Sequence, residues 1–422
     1  MFLQYAIPGA FAPVAYIYWK KIAFTDANIS DMAALGAVIG LLFPFVGGQI
    51  ADRWLPTQYF LAFCNLVGGV LIILMGIYHS VVVIFILTGL YAVLSAPTMA
   101  LTNSLTFHHL KDPDREFGAI RVWGTIGWIG AGLGLTLWRH LGDPGFLTQL
   151  GGFSLSGDWF GRLWDLWWQP SEAGVPGDLF FLGGGCSFAL GLFCLILPPT
   201  PPSRQGVKPL AFLEALKLLK DRNFAVFLAI AFLVVTELSF YYIPTSGFLK
   251  DIGISEANVP SVMTTAQIAE IFVLALLLPP TIKRIGLKWT LALGVIAWPM
   301  RYVIFAIGKP TWLVVASLGF HGFGFAFFFV AGQIYVNNAA HKDIRASAQS
   351  LLAVALGVGG LIGTQIFKGI KYLFTSMAGG VEVTNWTYLF LFPCALTAAC
   401  AVAYLIFFKP PKQQLAAKEA AA

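Results

Sequence analysis

Long apolar runs separated by short polar stretches recur along the whole chain. A membrane-spanning α-helix needs about 20 mostly apolar residues. Twelve stretches qualify: 2–20, 32–50, 59–78, 81–106, 118–138, 179–197, 224–249, 261–281, 289–307, 312–336, 347–374 and 386–408. Prolines and glycines inside them do not argue against helix, because neighbouring helices satisfy the backbone groups they free. Gly130/Gly134 and Gly359/Gly363 have small-xxx-small spacing. That spacing predicts close helix packing rather than a phosphate-cradling loop.

One connection is long, basic and rich in proline: PPTPPSRQGVKPLAFLEALKLLKDR, residues 198–222. Its second half, FLEALKLLKD, carries an apolar stripe and a charged face, as an interfacial helix does. The chain thus reads as an N-terminal six-helix half over 1–197, a cytoplasmic linker with an amphipathic helix over 198–222, a C-terminal six-helix half over 223–408, and a cytoplasmic tail over 409–422. The expected fold class is an all-α membrane protein of twelve transmembrane helices in two halves. Such an organisation places a binding site between the halves near the midplane. A second long connection, 139–178, contains Trp159, Trp164, Trp167 and Trp168. These suit an interfacial aromatic belt, or a lid over the outer mouth.

Lys and Arg set the orientation. With residue 1 inside and the helices alternating, the inner segments carry seventeen Lys and Arg, the outer segments eight, and Arg301 lies within a span. The bias predicts both termini on the cytoplasmic side. The first apolar stretch starts at the first residues, MFLQYAIPGAF, which suggests a true start further upstream.

Composition agrees with a bilayer environment. Apolar residues make up 58 % of the chain, charged residues 11 %, and the net charge is +6. Soluble domains carry about 25 % charged residues. No Lys/Arg run of the nucleic-acid type is present. The five cysteines (Cys64, Cys186, Cys194, Cys394, Cys400) fall in apolar stretches without CxxC spacing, so they read as small buried residues. Neither a metal nor a cofactor is expected. His108 and His109, beside Lys111, read as surface residues. Asn103, with Pro97 and Thr98, gives the fourth span a polar face that either lines a cavity or bonds to a neighbouring helix.

Against this background, Glu237 and Glu270 stand out, each in the middle of an apolar stretch. An ionised residue at bilayer depth costs about 2.5–3.5 kcal/mol on insertion scales. Proton relays, substrate binding and internal ion pairs are the usual reasons to accept that cost. Arg121 and Arg301 also lie in apolar surroundings, so a partly charge-balanced polar interior is expected.

Short motifs carry a family resemblance. The loop after the second stretch reads GGQIADRW, in which Gly48, Asp52 and Arg53 match the G-x-x-x-D-R core of the loop signature of the major facilitator superfamily. Glycine permits close helix approach there, and Asp52 and Arg53 can form a charge-assisted latch at the cytoplasmic face. The equivalent loop of the second half, TIKRIGLKW, lacks the aspartate. AIRVWGTIGWI in span five, QIAEIFVLAL in span eight, VIAWPMRYVIFAIG in span nine and DIRASAQSLL at span eleven together resemble the bacterial nucleoside:proton symporter family of that superfamily. The resemblance runs from the first span to the last.

It implies a substrate pocket. Arg121, Thr125 and Trp128 match the family's span-five arginine, threonine and aromatic, with Trp where the family has Phe. Their i, i+4, i+7 spacing puts them on one helix face. An aromatic ring can stack on a nucleobase, and cations and hydroxyls can bond its oxygens or the ribose. Snorkelling to the membrane edge is the competing reading of Arg121. Gln267 and Glu270, also on one face, suit ribose hydroxyls. Glu270 can instead be the titrating group, or one partner of a structural ion pair. Ser239 and Tyr242 stand where the family has amides in span seven. His321 and Phe325 stand where it has Tyr and Phe in span ten, and Ala326 replaces the aspartate expected after that Phe. The proton-coupling candidates are therefore Glu270, His321 and Glu237. His321 can equally be a hydrogen-bonded pocket residue, and Glu237 a structurally paired acid.

The resemblance implies an importer of nucleosides by proton symport, a monomer in the bacterial inner membrane, with protons, a nucleoside and lipid as its partners. The alternative is a facilitator of the same fold for another polar solute, such as a sugar or purine derivative, with altered or no coupling. A multispan membrane enzyme is a third class, but the sequence has no nucleotide-binding loop or HExxH motif to support it.

Overall fold

The computed structural model describes residues 1–109, 113–143, 177–198, 200, 216–340, 345–378 and 381–409. Among them, nine helical stretches are long and apolar enough to cross a membrane. Prolines and glycines decide where several of these bend. The first apolar run is not one helix but two, α1 (Phe2–Phe11) and α2 (Ala15–Lys21). Pro13 lies in the break and has no N–H to continue the ladder. Then come α3 (Asp26–Arg53), α4 (Thr57–Ile77), α5 (Val81–Ser95) and α6 (Thr98–His109). The α5–α6 break falls at Pro97, inside what the hydropathy predicts as one span. Helix α3 starts at a capping box, with Thr25 Oγ1 accepting from the Asn28 backbone N–H. The cap extends the helix six residues ahead of its apolar run.

Helices α7 (Pro113–Leu141) and α8 (Asp178–Leu195) follow. Residues 144–176, with the four tryptophans of that connection, lie outside the described residues, as does most of 198–222. Leu216–Lys220 form a short 3₁₀ helix, and the first part of the expected amphipathic helix lies outside the described residues. Beyond it lie α9 (Arg222–Tyr242), α10 (Thr245–Asp251), α11 (Val259–Met263) and α12 (Thr265–Phe272). A π-helical turn, Val273–Leu277, leads into α13 (Leu278–Ile307). Gly286, at φ 79 and ψ 166, divides α13 into two helices; only glycine adopts that conformation without strain. Helices α14 (Thr311–Ser317) and α15 (Phe320–Gly324) lead into a second π-helical turn, Phe325–Val330, and then α16 (Ala331–Ala339). Helix α17 (Arg345–Leu373) and α18 (Trp386–Phe407) are joined by an antiparallel hairpin, Thr375–Ala378 with Val381–Thr384, a feature the hydropathy did not predict.

The chain forms two compact units, Met1–Gln205 with Tyr242–Thr264, and Gly206–Tyr241 with Thr265–Ala422. The division does not follow chain order alone: residues 242–264 come after the linker yet pack on helices that precede it. Polar contacts hold them there. The Ser261 backbone N–H donates to Thr136 Oγ1 at 3.0 Å, and Arg139 donates to the Glu256 carbonyl at 3.3 Å. His140 Nε2 and Asn258 Oδ1 are 2.8 Å apart. Arg139 is itself fixed by a bidentate pair with Asp178, both bonds 2.8 Å. Two-pronged geometry of this kind gives direction as well as energy.

Glu256 is clasped by Lys21 at 2.6 Å and Lys250 at 3.3 Å. Burial alone would raise its pKa, but the bonds and charges of Lys21 and Lys250 outweigh it and hold the carboxyl below the usual range. A depressed carboxylate pKa contributes stability above the unfolded value, about 4.3, that is lost as pH falls through the folded one. Glu256→Gln should mimic that acid state at pH 7. Both lysines are about half exposed, so the expected effect is about 0.2–1 kcal/mol. Labelling of a cysteine introduced by Ser255→Cys should accordingly quicken by no more than about fivefold. An unchanged labelling rate would mean that the clasp does not hold the segment.

In the second unit, buried aromatic and aliphatic residues from α9, α13, α16 and α18 form one core around Trp298, Phe227, Phe328 and Tyr404. Gly359 and Gly363 bring α17 against α9: a Cβ there would lie 2.7 Å from Phe232 O and 2.4 Å from Thr236 O. Close packing is therefore the role of this pair. The expectation fails for Gly134, where a Cβ would meet nothing within 4 Å, while Gly130 only touches the Phe2 ring.

Candidate functional site

The two acids marked by hydropathy both lie in the second unit. Glu237, on α9, is wholly buried, as is Arg301 on α13. Arg301 Nη2 donates to Glu237 Oε2 at 3.3 Å, and the Tyr302 hydroxyl makes a short hydrogen bond to the same oxygen. Of the uses open to a buried acid, the internal ion pair is the one seen for Glu237, with Arg301 as its partner. Four rings surround the guanidinium: Tyr241 at 4.2 Å, Tyr302 at 4.7 Å, Trp298 at 4.8 Å and Phe305 at 5.9 Å. Ring quadrupoles of this kind stabilise a desolvated cation. The pair is nonetheless incompletely bonded. Among the described residues, Glu237 Oε1, Arg301 Nε and Nη1, and Trp298 Nε1 find no hydrogen-bond partner. Burying such groups costs free energy.

Tyr241 links this pair to the other predicted residues. His321, on α15, stacks on the Tyr241 ring at 5.0 Å and an interplanar angle of 20°. It also meets the Trp298 edge at 5.7 Å and Phe325 at 6.2 Å. Glu270 and Gln267, one turn apart on α12, are both buried. The backbone of α15 presses against that of α12: a Cβ on Gly322 would lie 2.5 Å from Glu270 N. Glycine at 322 thus allows His321 and Glu270 to share one region. The two π-helical turns fall here as well, one just after Glu270 and one starting at Phe325. Wide turns of this kind recur at functional sites. Ala326 is wholly buried in the apolar core, so its side chain supplies no ionisable group to this region.

Ser239 is buried beside these groups on α9, whereas Tyr242, three residues on, belongs to the first unit and is 37 % exposed. Arg121, Thr125 and Trp128 also belong to the first unit, on α7. The Arg121 guanidinium lies over the Tyr5 ring of α1 at 4.1 Å. Thr125 is buried and Trp128 half-buried. The polar face of α6 pairs with α1: Gln4 Nε2 donates to Thr98 Oγ1 at 2.8 Å, and Thr102 donates to Gln4 Oε1 at 3.2 Å. Gly48, Asp52 and Arg53 end α3, where side-chain placement lies outside the described set, as it does for His108. Among the described residues no His/Cys/Asp/Glu group suits a metal ion.

Sequence reasoning missed the aromatic cage. Its signal was present in WPMRY, which puts Trp298 and Tyr302 beside Arg301, and in Tyr241 one turn from Glu237. Helix spacing alone does not say which of these faces meet.

A largely helical chain with charged and hydrogen-bonding side chains buried among long apolar helices fits a membrane protein with a polar functional interior. Residues 1–142 and 175–413 match the family described as nucleoside H+ symporter, and the chain belongs to that family. It is 32 % identical to the candidate nucleoside transporter YegT of Escherichia coli over 99 % of this chain and 94 % of that one. It is 25 % identical to the nucleoside permease NupG of the same organism, over 97 % and 94 %. The crystal structure of NupG superposes with a TM-score of 0.77 at 24 % identity, covering 97 % of each chain. A NupG variant with one aspartate replaced by alanine gives 0.80. The fold is that of these transporters.

Proposed function

We propose that the protein imports nucleosides into the bacterial cytoplasm with protons, across the inner membrane, as a monomer with both termini inside. Membership of the symporter family supports this, as does the excess of Lys and Arg on the segments assigned to the inside. In this reading twelve spans form two six-helix halves, 1–197 and 223–408, joined by the linker 198–222. The polar network on 242–264 then lies at the outer ends of the helices. Asp52 and Arg53, with Gly48, form the inner latch.

The observation that carries the reading is the buried polar region of Gln267, Glu270 and His321 beside the Glu237–Arg301 pair. Gln267 and Glu270 bind ribose hydroxyls. Arg121, Thr125 and Trp128 supply the facing groups of the pocket, with Ser239, Tyr242 and Phe325 at its walls. Glu270, which shares a helix face with Gln267, is the first coupling candidate, with His321 and Glu237 the others. The alternative, an uncoupled facilitator for a sugar or purine derivative, keeps its support from Ala326 and from a 22 % identity to a maltose permease of Geobacillus stearothermophilus. Uptake of labelled nucleosides and sugars into proteoliposomes, with and without an inward proton gradient, separates the two. Nucleoside accumulation that depends on the gradient is expected. Equal uptake with and without it, or uptake of sugars alone, would reject symport of nucleosides.

A further inference from the structure

In the first unit, Lys20 pairs with Asp26 at 3.8 Å, Lys21 and Lys250 with Glu256 at 2.6 and 3.3 Å, and Arg139 with Asp178 at 2.8 Å. At one end of the second unit the opposite holds. Lys220, Arg222, Lys283, Arg284, Lys288 and Lys409 make no ion pair among the described residues. The described acid beside them in sequence, Asp221, already has a task. Its carboxylate accepts from the Phe224 N–H at 2.8 Å and so caps α9.

These cations share one corner because three helices meet there. The Tyr404 hydroxyl, on α18, donates to the Lys288 carbonyl at 3.2 Å. Five residues beyond Tyr404, the Lys409 backbone N–H donates to Asn223 Oδ1 at 2.9 Å. The end of α18 thus ties the start of α9, where Arg222 lies, to α13. Within α13 the bend at Gly286 sets Lys283 and Arg284 on one side and Lys288 on the other. The stretch 281–289, TIKRIGLKW, carries these three cations and no acid. Arg222, Lys283, Arg284 and Lys409 are exposed, and Lys288 is half-buried. Apolar side chains adjoin them. Lys288 Nζ lies 5.5 Å from the centre of the exposed Trp289 ring, and Ile406 and Phe407 are exposed at the end of α18.

We infer that this corner binds the headgroup of an anionic phospholipid, with its phosphate among the cations and its acyl chains along Trp289 and the end of α18. Charge complementarity selects the headgroup: cations without acids of their own take an anion from outside the chain. An arginine holds a phosphate through two parallel bonds, and a lysine holds it as a point charge. Basic clusters where helices leave the bilayer attract anionic headgroups, and each cation contributes about a factor of five. The apolar neighbours select a lipid over a soluble phosphate. Tryptophan favours the headgroup level, where its ring meets the apolar layer. A free phosphate has nothing to set against Trp289, Ile406 and Phe407. A lipid bound on both sides of Gly286 also holds the two parts of α13 at one angle. The site concerns the bilayer and not the solute, so it goes beyond the transport reading above and does not depend on it.

The test reads lipid affinity directly. Native mass spectrometry of the full-length protein in detergent follows the first lipid bound during titration with phosphatidylglycerol and, separately, with phosphatidylcholine. The wild type should bind phosphatidylglycerol at least about tenfold more tightly than phosphatidylcholine. The triple variant Lys283→Gln, Arg284→Gln, Lys288→Gln should lose about a hundredfold of its affinity for phosphatidylglycerol and keep its affinity for phosphatidylcholine. The double variant Lys283→Gln, Arg284→Gln changes only exposed side chains. It should melt with the wild type and lose about thirtyfold, and it carries the test if the triple variant melts low. Inorganic phosphate at the same concentration should displace none of the bound lipid. Equal affinity for the two lipids overturns the proposal, as do variants that keep wild-type affinity for phosphatidylglycerol or that weaken both lipids alike. Displacement by inorganic phosphate overturns it in favour of a soluble-anion site.

Discussion

Arg301→Ala is expected to destabilise the protein by about 3–5 kcal/mol, the cost of leaving one partner of a buried ion pair uncompensated. The structure locates the origin of that cost. Removing the guanidinium strands the Glu237 carboxylate, which is wholly buried and keeps only the Tyr302 hydroxyl and the surrounding apolar core. It also empties a cage of four rings. Thermal unfolding in detergent should show a large drop in melting temperature. The double variant Glu237→Gln with Arg301→Met should recover most of it, because replacing both charges with neutral groups of similar volume removes the stranded acid. A single variant that melts with the wild type would show that the pair contributes nothing to stability. A double variant no better than the single one would place the loss in the aromatic cage rather than in the charge.

The second large effect is on coupling. Glu270→Gln should abolish accumulation of nucleoside driven by a pH gradient. Exchange of substrate down its own gradient should survive in part, because Gln keeps the size and much of the hydrogen bonding of the acid. The assignment follows from neighbours. Glu270 sits on the same face as Gln267 and against the helix that carries His321. A proton carrier must sense the substrate, and in the proposed pocket Glu270 lies one turn from Gln267. Accumulation at the wild-type level in the Gln variant would exclude Glu270 and leave His321, Glu237 or an uncoupled facilitator, of which His321 is tested first. The His321→Gln variant, stripped of its titrating group, would then be the one that fails to accumulate.

The two acids show how far a linear reading reaches. Hydropathy found both, because an ionised group within an apolar run is visible in one dimension. It also placed Arg301 within a span and anticipated an internal pair. Which acid takes the arginine is a matter of helix rotation and packing. Glu237 and Arg301 are 64 residues apart, and no local spacing relates α9 to α13. The same holds for His321, whose stacking on Tyr241 depends on three helices meeting and on Gly322 letting two backbones touch.

Glycines make the point from the other side. Gly130/Gly134 and Gly359/Gly363 share one spacing, yet Gly359 and Gly363 press on a neighbouring backbone while Gly134 meets nothing. Gly36 and Gly40, which have the same spacing, line a cavity. A missing side chain is a sequence fact; whether a helix or a space occupies its place is not.

By itself the sequence determined the membrane class, the position of most spans, the family and the residue types available for a polar interior. These follow from local hydropathy, from proline and glycine, and from short motifs, all of which act over a few residues. The tertiary structure decided the breaks at Pro13 and Pro97, the docking of 242–264 on the first unit, the pairing of Glu237 with Arg301, and the cavity beside Gly36 and Gly40. Those features depend on which helix faces meet across long sequence separations. Helix periodicity says which residues share a face, but only packing chooses what that face is set against.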